Sequence, residues 1–342
     1  MAGQPLSVMR TGMVTSVGLT APASCAAIRA GLANPVESRF ADAAGEWITT
    51  HVVPWESALR GRRRLVALVR RAVEECLEGL TPSDCTEIPL LLCVAESHRP
   101  GRIEGLDDLL FTELETSLGA LFSTSSAIIA RGRVGVAVAL LYARKLVYES
   151  GVPRVLIAGT DSLLVAETLG EFERQQRLLT SQNMNGFVPA EGASALLVGR
   201  PADTTSLLIE GMGFAMEAAH IGTEEALRAD GLSAAIRSAL ADAGRQLHEI
   251  DFRITDLSGE QYYFKEAALA LSRTLKQPKE QFDLWHPAEC VGELGSAILP
   301  IQIAVADAAC RKQYAPGGSI LIHAGTDEGH RAALVARYAS AR

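Results

Sequence analysis

The second half of this 342-residue chain repeats the first, and that repeat constrains the architecture more tightly than any single motif. Ile209-Glu210-Gly211-Met212 answers Arg10-Thr11-Gly12-Met13. The helical pattern from Gly231 to Ala243 answers an amphipathic pattern from Arg62 to Leu80, in which Leu65, Leu68, Val69, Ala72, Val73, Cys76 and Leu80 fall near one face. The apolar run Phe252 to Leu257 answers Ile88 to Ala95. Gly292-Glu293-Leu294-Gly295 opens an apolar helix, as Gly132-Arg133-Val134-Gly135 does. Leu321 to Asp327 closes on Ala-Gly-Thr-Asp, as Leu156 to Asp161 does. Five matches in one order point to two copies of one α/β unit, residues 1–205 and 206–342, divided in the polar stretch Pro201 to Ser206. Strands alternating with helices argue for mostly parallel sheets covered on both faces.

The stretch Ser125 to Ser162 is the centre of the first copy. Ser126 to Ala130 reads as a strand, and Arg131-Gly132-Arg133 breaks it. Val134 to Tyr148 is an apolar helical segment ended by Gly151 and Pro153, and Val155 to Gly159 is a buried strand. The spacing suits a right-handed βαβ unit. In such a unit the helix N-terminus points free N–H groups at the turn, where many enzymes hold a nucleophile. Here the turn holds Arg-Gly-Arg, and no Cys, Ser or Thr follows until Ser150. Elsewhere the patterns predict a strand over Leu6 to Thr15 and helices over Ala21 to Ala30, Ile103 to Leu118 and Glu167 to Leu179. Residues 32–60 read as irregular, and Gly186 to Val198 turns into a strand.

Composition narrows the function classes. With 48% hydrophobic and 21% charged residues the chain is globular, not disordered. A net charge of −8 argues against general nucleic-acid binding, and the basic run Arg60 to Arg64 reads as a solvated helix start. No uncharged apolar run is long enough to cross a bilayer, and the opening MAGQPLSVMR lacks a signal-peptide core. The six cysteines are scattered without a CxxC pair and read as small buried hydrophobes in a reducing, cytoplasmic setting. No metal-ligand spacing occurs among the seven histidines, and Gly132-Arg133-Val134-Gly135 has too few glycines for a dinucleotide fingerprint, so no metal or other cofactor is expected.

Four motifs then carry a resemblance. Thr11 to Gly18 (TGMVTSVG), Ala158 to Ser162 (AGTDS), Gly186 to Ala193 (GFVPAEGA) and Gly292 to Ala297 (GELGSA) span both ends and the middle of the chain. They are similar to the opening strand, the AGG-acid-S strand end, the GFV-x-GEGA signature and the GH-xx-GAAG helix start of the β-ketoacyl synthases. The resemblance implies the thiolase fold, five layers α-β-α-β-α from two duplicated α/β halves. Its two central helices are expected at Val134–Tyr148 and about Leu294–Cys310, both enclosed.

The departures decide what the resemblance implies for chemistry. The family's nucleophile is a Cys in the turn before the first-half helix, activated by that helix N-terminus. The matching position here is Gly132 or Arg133. The family's HGT histidine falls where Asp256-Leu257-Ser258-Gly259-Glu260 offers Ser258. Its Lys-xxxx-His pair falls on Glu289 or Cys290 and on Glu293 or Gly292. Without a nucleophile or imidazoles no thioester forms and no enolate is stabilised, so no Claisen condensation by the family mechanism is expected.

Two classes of function follow. The first is a binding role. The family contains inactive partners that dimerise with active synthases and shape their product, and synthase-like proteins of this size associated with type VI secretion effector loading. A homodimer through the Ser125–Ala130 edge is the first expectation and a heterodimer with an active synthase the second, with an acyl carrier protein or a secreted effector as further partners. The alternative is an acyltransferase or other acyl-group enzyme using non-standard residues, drawn from Ser258, Glu260, Cys290, Glu293, His323 and His330, with Thr326 in the glycine-containing loop between the histidines. Finally, the two helix starts carry opposite charge. Arg131 or Arg133 is expected to pair with Glu289, Glu293 or Glu260 and plug the pocket, or else to hold a ligand anion.

Overall fold

A computed structural model describes residues 3–55, 59–202 and 205–339, so residues 203 and 204 of the polar boundary stretch lie outside the described residues. The first half runs β1 (Leu6–Val14), α1 (Ala21–Arg29), β2 (Val36–Ala41), β3 (Trp47–Thr50), α2 (Gly61–Cys76), α3 (Pro82–Cys85), β4 (Leu90–Val94), α4 (Leu109–Leu118), β5 (Ala127–Ala130), α5 (Gly135–Tyr148), β6 (Arg154–Ser162), α6 (Ala166–Arg174) and β7 (Glu191–Gly199). The second runs β8 (Ser206–Met216), α7 (Asp230–Ala243), β9 (Phe252–Thr255), α8 (Gln261–Thr274), β10 (Leu284–Trp285), α9 (Ala288–Val291), α10 (Ile298–Arg311), β11 (Ser319–Gly325) and β12 (His330–Ala339).

Strand order makes the duplication explicit: β5-β4-β6-β7-β1 in one half and β10-β9-β11-β12-β8 in the other. The two mixed sheets join through a short antiparallel pairing in which Leu6, Ser7 and Val8 face Ile209, Leu208 and Leu207. Helices α5 and α10 lie between the sheets, and the largest apolar cluster forms around them. A second cluster packs α2 and α4 on the outer face of one sheet, and a third packs α7 on the outer face of the other. This is the five-layer thiolase arrangement.

The repeated glycine has a physical reason. A Cβ at Gly12 would collide with the Ala72 carbonyl of α2, and one at Gly211 with the Ala239 carbonyl of α7. Each outer helix therefore lies directly on its strand at the same place. Each also returns a carboxylate to that strand: Glu75 accepts the Met13 N–H at 3.0 Å, and Asp242 accepts the Met212 N–H at 2.9 Å.

Several boundaries differ from the sequence reading. Residues 32–60 contain the β2–β3 hairpin, whose two strands are mostly exposed or half-buried and so show no strong apolar alternation. Helix α4 starts at Leu109, because the Asp108 side chain caps it, and not at Ile103. Helix α2 stops at Cys76 and α6 at Arg174, and left-handed Gly79 and Gln176 follow them. His323 lies inside β11. The basic run is not wholly solvated. Arg64 is buried, and its guanidinium meets the Glu191 carboxylate of the GFVPAEGA stretch at 2.5 Å.

The two central helices are not alike. On α10 only Ala308 and Arg311 are not buried, whereas α5 leaves a stripe of Val138, Leu141, Tyr142 and Lys145. Inside α10, Gln302 is fully buried and neither amide atom has a partner among the described residues. An unpaired buried amide carries its desolvation penalty uncompensated. Gln302→Met should therefore raise stability by about 1–2 kcal/mol, read as a shift of the urea midpoint at constant slope.

Candidate functional site

The two helix starts take the same unusual conformation. Gly132 (φ +50°) and Gly295 (φ +51°) each begin a single 3₁₀ turn, Gly132–Val134 and Gly295–Ala297, that runs into α5 and α10. Positive φ favours glycine at both points. Gly132 thus corresponds to Gly295, and the sequence alignment of Gly132 with Gly292 was out by three residues. By this register Arg133 corresponds to Ser296. The sheet gives a further pair. Leu91 lies beside Ile157 and Thr255 beside His323, so Glu96, five residues beyond Leu91, corresponds to Glu260. Asp161 and Asp327 correspond as the ends of the repeated Gly-Thr-Asp.

These equivalent residues meet in one buried network. Arg133 points inward from the α5 start and donates to Asp327 Oδ1 at 2.6 Å, to Tyr263 Oη at 2.7 Å and to Glu293 Oε2 at 3.2 Å. Its guanidinium also lies 4.7 Å from the Tyr263 ring centre, and its Nε is 3.9 Å from Asp256. Glu293 accepts from Ser258 Oγ at 3.0 Å and from the Gly295 N–H at 2.9 Å. Arg177 grips Glu260 with two bonds, 2.7 and 2.8 Å, and reaches Asp327 Oδ2 at 2.6 Å. Arg99 joins Glu96 at 2.6 Å to Asp161 at 2.6 Å, and Asp161 accepts the Ser296 N–H at 2.9 Å. The space left among these side chains is about 20 Å³, room for about one water. Neither a cysteine nor a histidine lines it among the described residues.

Six carboxyl groups face three guanidiniums, and their protonation follows from position. Burial pushes Asp256 up to about 6; Arg133 and the Gly325 N–H only partly offset this, and Glu293 adds to it. Burial would also raise Asp327, but Arg133 and Arg177 hold it well below the usual carboxylate range. Burial raises Glu260 despite Arg177. For Arg133 burial is outweighed by the acidic groups around it, and the guanidinium stays charged. Each of the three guanidiniums is engaged by at least two acidic or phenolic neighbours.

The remaining candidates are scattered. Arg131 is exposed and makes no ion pair among the described residues. Glu289 is exposed on α9 and lies 2.9 Å from His286 Nδ1, so it is not part of the pocket. Cys290 is buried against the Ile28 carbonyl on the far side of α9, and burial raises its thiol. His323 is buried in β11 away from the lined space, and burial, with Arg253 and Arg331 adding, pushes it down to about 3. Thr326 does line the pocket, beside Asp327, and its hydroxyl accepts the His330 N–H at 3.3 Å. The sequence reading missed Arg99, Arg177, Asp161, Asp256, Tyr263 and Asp327 as site residues. Asp161 and Asp327 were signalled by the repeat. Arg177, placed by the loop after α6, carries no local signal.

An open basin of about 810 Å³ adjoins the network and counts Arg177, Glu260 and Asp327 among its lining residues. At the sheet edge, β5 pairs with β4 alone and its outer side is free among the described residues. The α5 stripe of Val138, Leu141 and Tyr142 lies in the helix that follows it.

No family profile matches the chain, and no curated protein sequence matches it. Solved structures match over nearly the whole length. The ishigamide ketosynthase/chain length factor has a TM-score of 0.77 at 18% identity, covering 98% of this chain and 100% of that one. A ketosynthase bound to the hexaketide, in complex with the acyl-carrier protein of a type II polyketide synthase, has a TM-score of 0.80 at 16% identity, covering 98% and 100%. A ketosynthase in complex with its chain length factor from Xenorhabdus doucetiae has a TM-score of 0.76 at 14% identity, covering 98% of each chain. No helix among the described residues is long and apolar enough to cross a membrane. The chain shares the thiolase-like fold of the ketosynthases and their chain length factors.

Proposed function

We propose that this protein is a non-condensing ketosynthase-like subunit that works as the partner of an active ketosynthase, in the manner of a chain length factor. The observation that carries this reading is Arg133. The turn that would present a nucleophile holds Gly132, and the next side chain fills the pocket with an ion-paired guanidinium. A second feature supports the partner role. The unpaired β5 edge and the Val138, Leu141 and Tyr142 stripe together leave apolar surface and free backbone groups that pairing with another sheet would cover. Two of the matching structures are named as a ketosynthase with its chain length factor.

Two measurements test the proposal. Co-expression with an active type II ketosynthase should give a one-to-one complex. Tyr142→Asp should weaken that complex by about 30-fold or more, the scale of a central aromatic anchor. A homodimer that excludes the ketosynthase would overturn the heterodimer. Separately, the protein alone should release no CO2 and transfer no acyl group from malonyl- or acyl-loaded acyl-carrier protein above a no-protein control. Turnover well above that control would favour an acyl-group enzyme using non-standard residues.

A further inference from the structure

We infer that a second ligand site lies at the β10 edge of the sheet, and that it takes an aryl carboxylate. A cleft of about 400 Å³ opens between the C-terminal end of α1 and the β10–α9 connection, with Val305 of α10 and Cys290 also lining it. That volume is in the range of small-molecule sites, which are mostly apolar with a few placed polar groups. Two of its side chains are aromatic. Trp285 and Tyr314 are nearly parallel, 20° apart, with ring centres 6.3 Å from one another. Trp285 is braced from behind by Phe252 at 4.6 Å.

Charge selects the ligand. The Arg29 guanidinium lies over the Tyr314 ring at 4.1 Å and meets no carboxylate among the described residues. The one acidic side chain lining the cleft, Glu289, is turned mostly to solvent, with 69% of its side chain exposed. The cleft therefore presents one guanidinium that no carboxylate pairs among the described residues, held flat on an aromatic ring beside apolar walls. A carboxylate matches the guanidinium fork with two parallel hydrogen bonds. An aromatic body matches Trp285 and Tyr314 by offset or edge contact. The site is independent of the proposed partner role. β10 and β5 are the two opposite ends of the strand order, and none of the residues around Arg133 lines this cleft.

The test is a titration of the full chain with 2-naphthylacetate and its neutral amide, by calorimetry and by tryptophan fluorescence. The chain has three tryptophans, Trp47, Trp55 and Trp285, so a Trp47→Phe/Trp55→Phe background leaves Trp285 as the reporter. The acid should bind saturably and change Trp285 emission, and the amide should bind at least about tenfold more weakly. Arg29→Gln should remove that preference by weakening the acid and leaving the amide unchanged. Arg29 is exposed and makes no ion pair among the described residues, so the variant is expected to fold, which circular dichroism checks. Decanoate should bind more weakly than the aryl acid. No saturable binding up to about 5 mM, equal affinity for acid and amide, binding with Trp285 silent, or an Arg29→Gln variant that binds the acid unchanged would each overturn the inference.

Discussion

Replacing Arg133 with methionine should destabilise the protein by about 3–5 kcal/mol, the scale expected when one partner of a buried ion pair is removed. The cost comes from what is left behind. Asp327 and Glu293 lose hydrogen bonds of 2.6 and 3.2 Å, and Tyr263 loses one of 2.7 Å, in a pocket with room for about one water. The network itself need not add net stability, because desolvation of the ions can cancel their attraction. A multiple variant separates the two statements. Arg133→Met with Glu293→Gln and Asp327→Asn should recover most of the loss, although Asp327 also holds Arg177 and some cost should remain. Urea unfolding at neutral pH measures each. A loss under about 1 kcal/mol for Arg133→Met would mean that the carboxylates are hydrated, and that Arg133 does not block the pocket.

The second large effect is pH dependence between about pH 4 and 6.5. Burial pushes His51 down to about 4, and burial with Arg253 and Arg331 pushes His323 down to about 3. Unfolded, both take up a proton near pH 6.5. Their contribution is thus complete above pH 6.5 and is lost as the pH falls, because the unfolded chain binds protons that the folded one refuses. Asp256 acts in the opposite sense. Its folded value of about 6 lies above the ordinary 3.8, so the folded chain keeps a proton that the unfolded chain has released. Its contribution is present at low pH and is lost as the pH rises from about 4 to 6. The two histidines act against Asp256, and Glu260, which burial also raises, acts in the same sense as Asp256. His323→Gln should remove one proton from the balance, so the slope of its stability against pH should be lower than the wild type's by about 1.4 kcal/mol per unit in that window. Urea midpoints at three pH values across the window decide it, and parallel curves would show that His323 titrates normally in the fold.

Much of the architecture was legible because its causes are local and recur. Buried strands read as apolar runs, the two central helices as segments free of charge over their first two turns, and the close approach of α2 and α7 demanded Gly12 and Gly211 at matching places. Where local causes were weak, the reading failed. Strands β2 and β3 are half in water, so they lack the alternation that would betray them. Arg64 looks like its neighbours Arg62 and Arg63 in sequence, and only the packing of α2 against Glu191 separates it from them.

The site divides in the same way. The sequence by itself determined what is missing from the α5 turn, since a cysteine is absent from Arg131 to Ser150 whatever the fold does. It also determined that the two helix starts carry opposite charges, because those residues lie beside repeated glycines. It did not determine which charges meet. Arg131 and Arg133 are two residues apart, yet the 3₁₀ turn sends Arg133 inward and leaves Arg131 in solvent. Glu289 and Glu293 are one helical turn apart, yet α9 and left-handed Gly292 direct Glu289 to the surface. Arg99, Arg177 and Asp327 join from separate loops up to 228 residues apart, brought together only when the two halves close on each other. Ion pairing is decided by distances of a few ångströms, which sequence separation does not encode, while a missing nucleophile is a matter of composition at one turn.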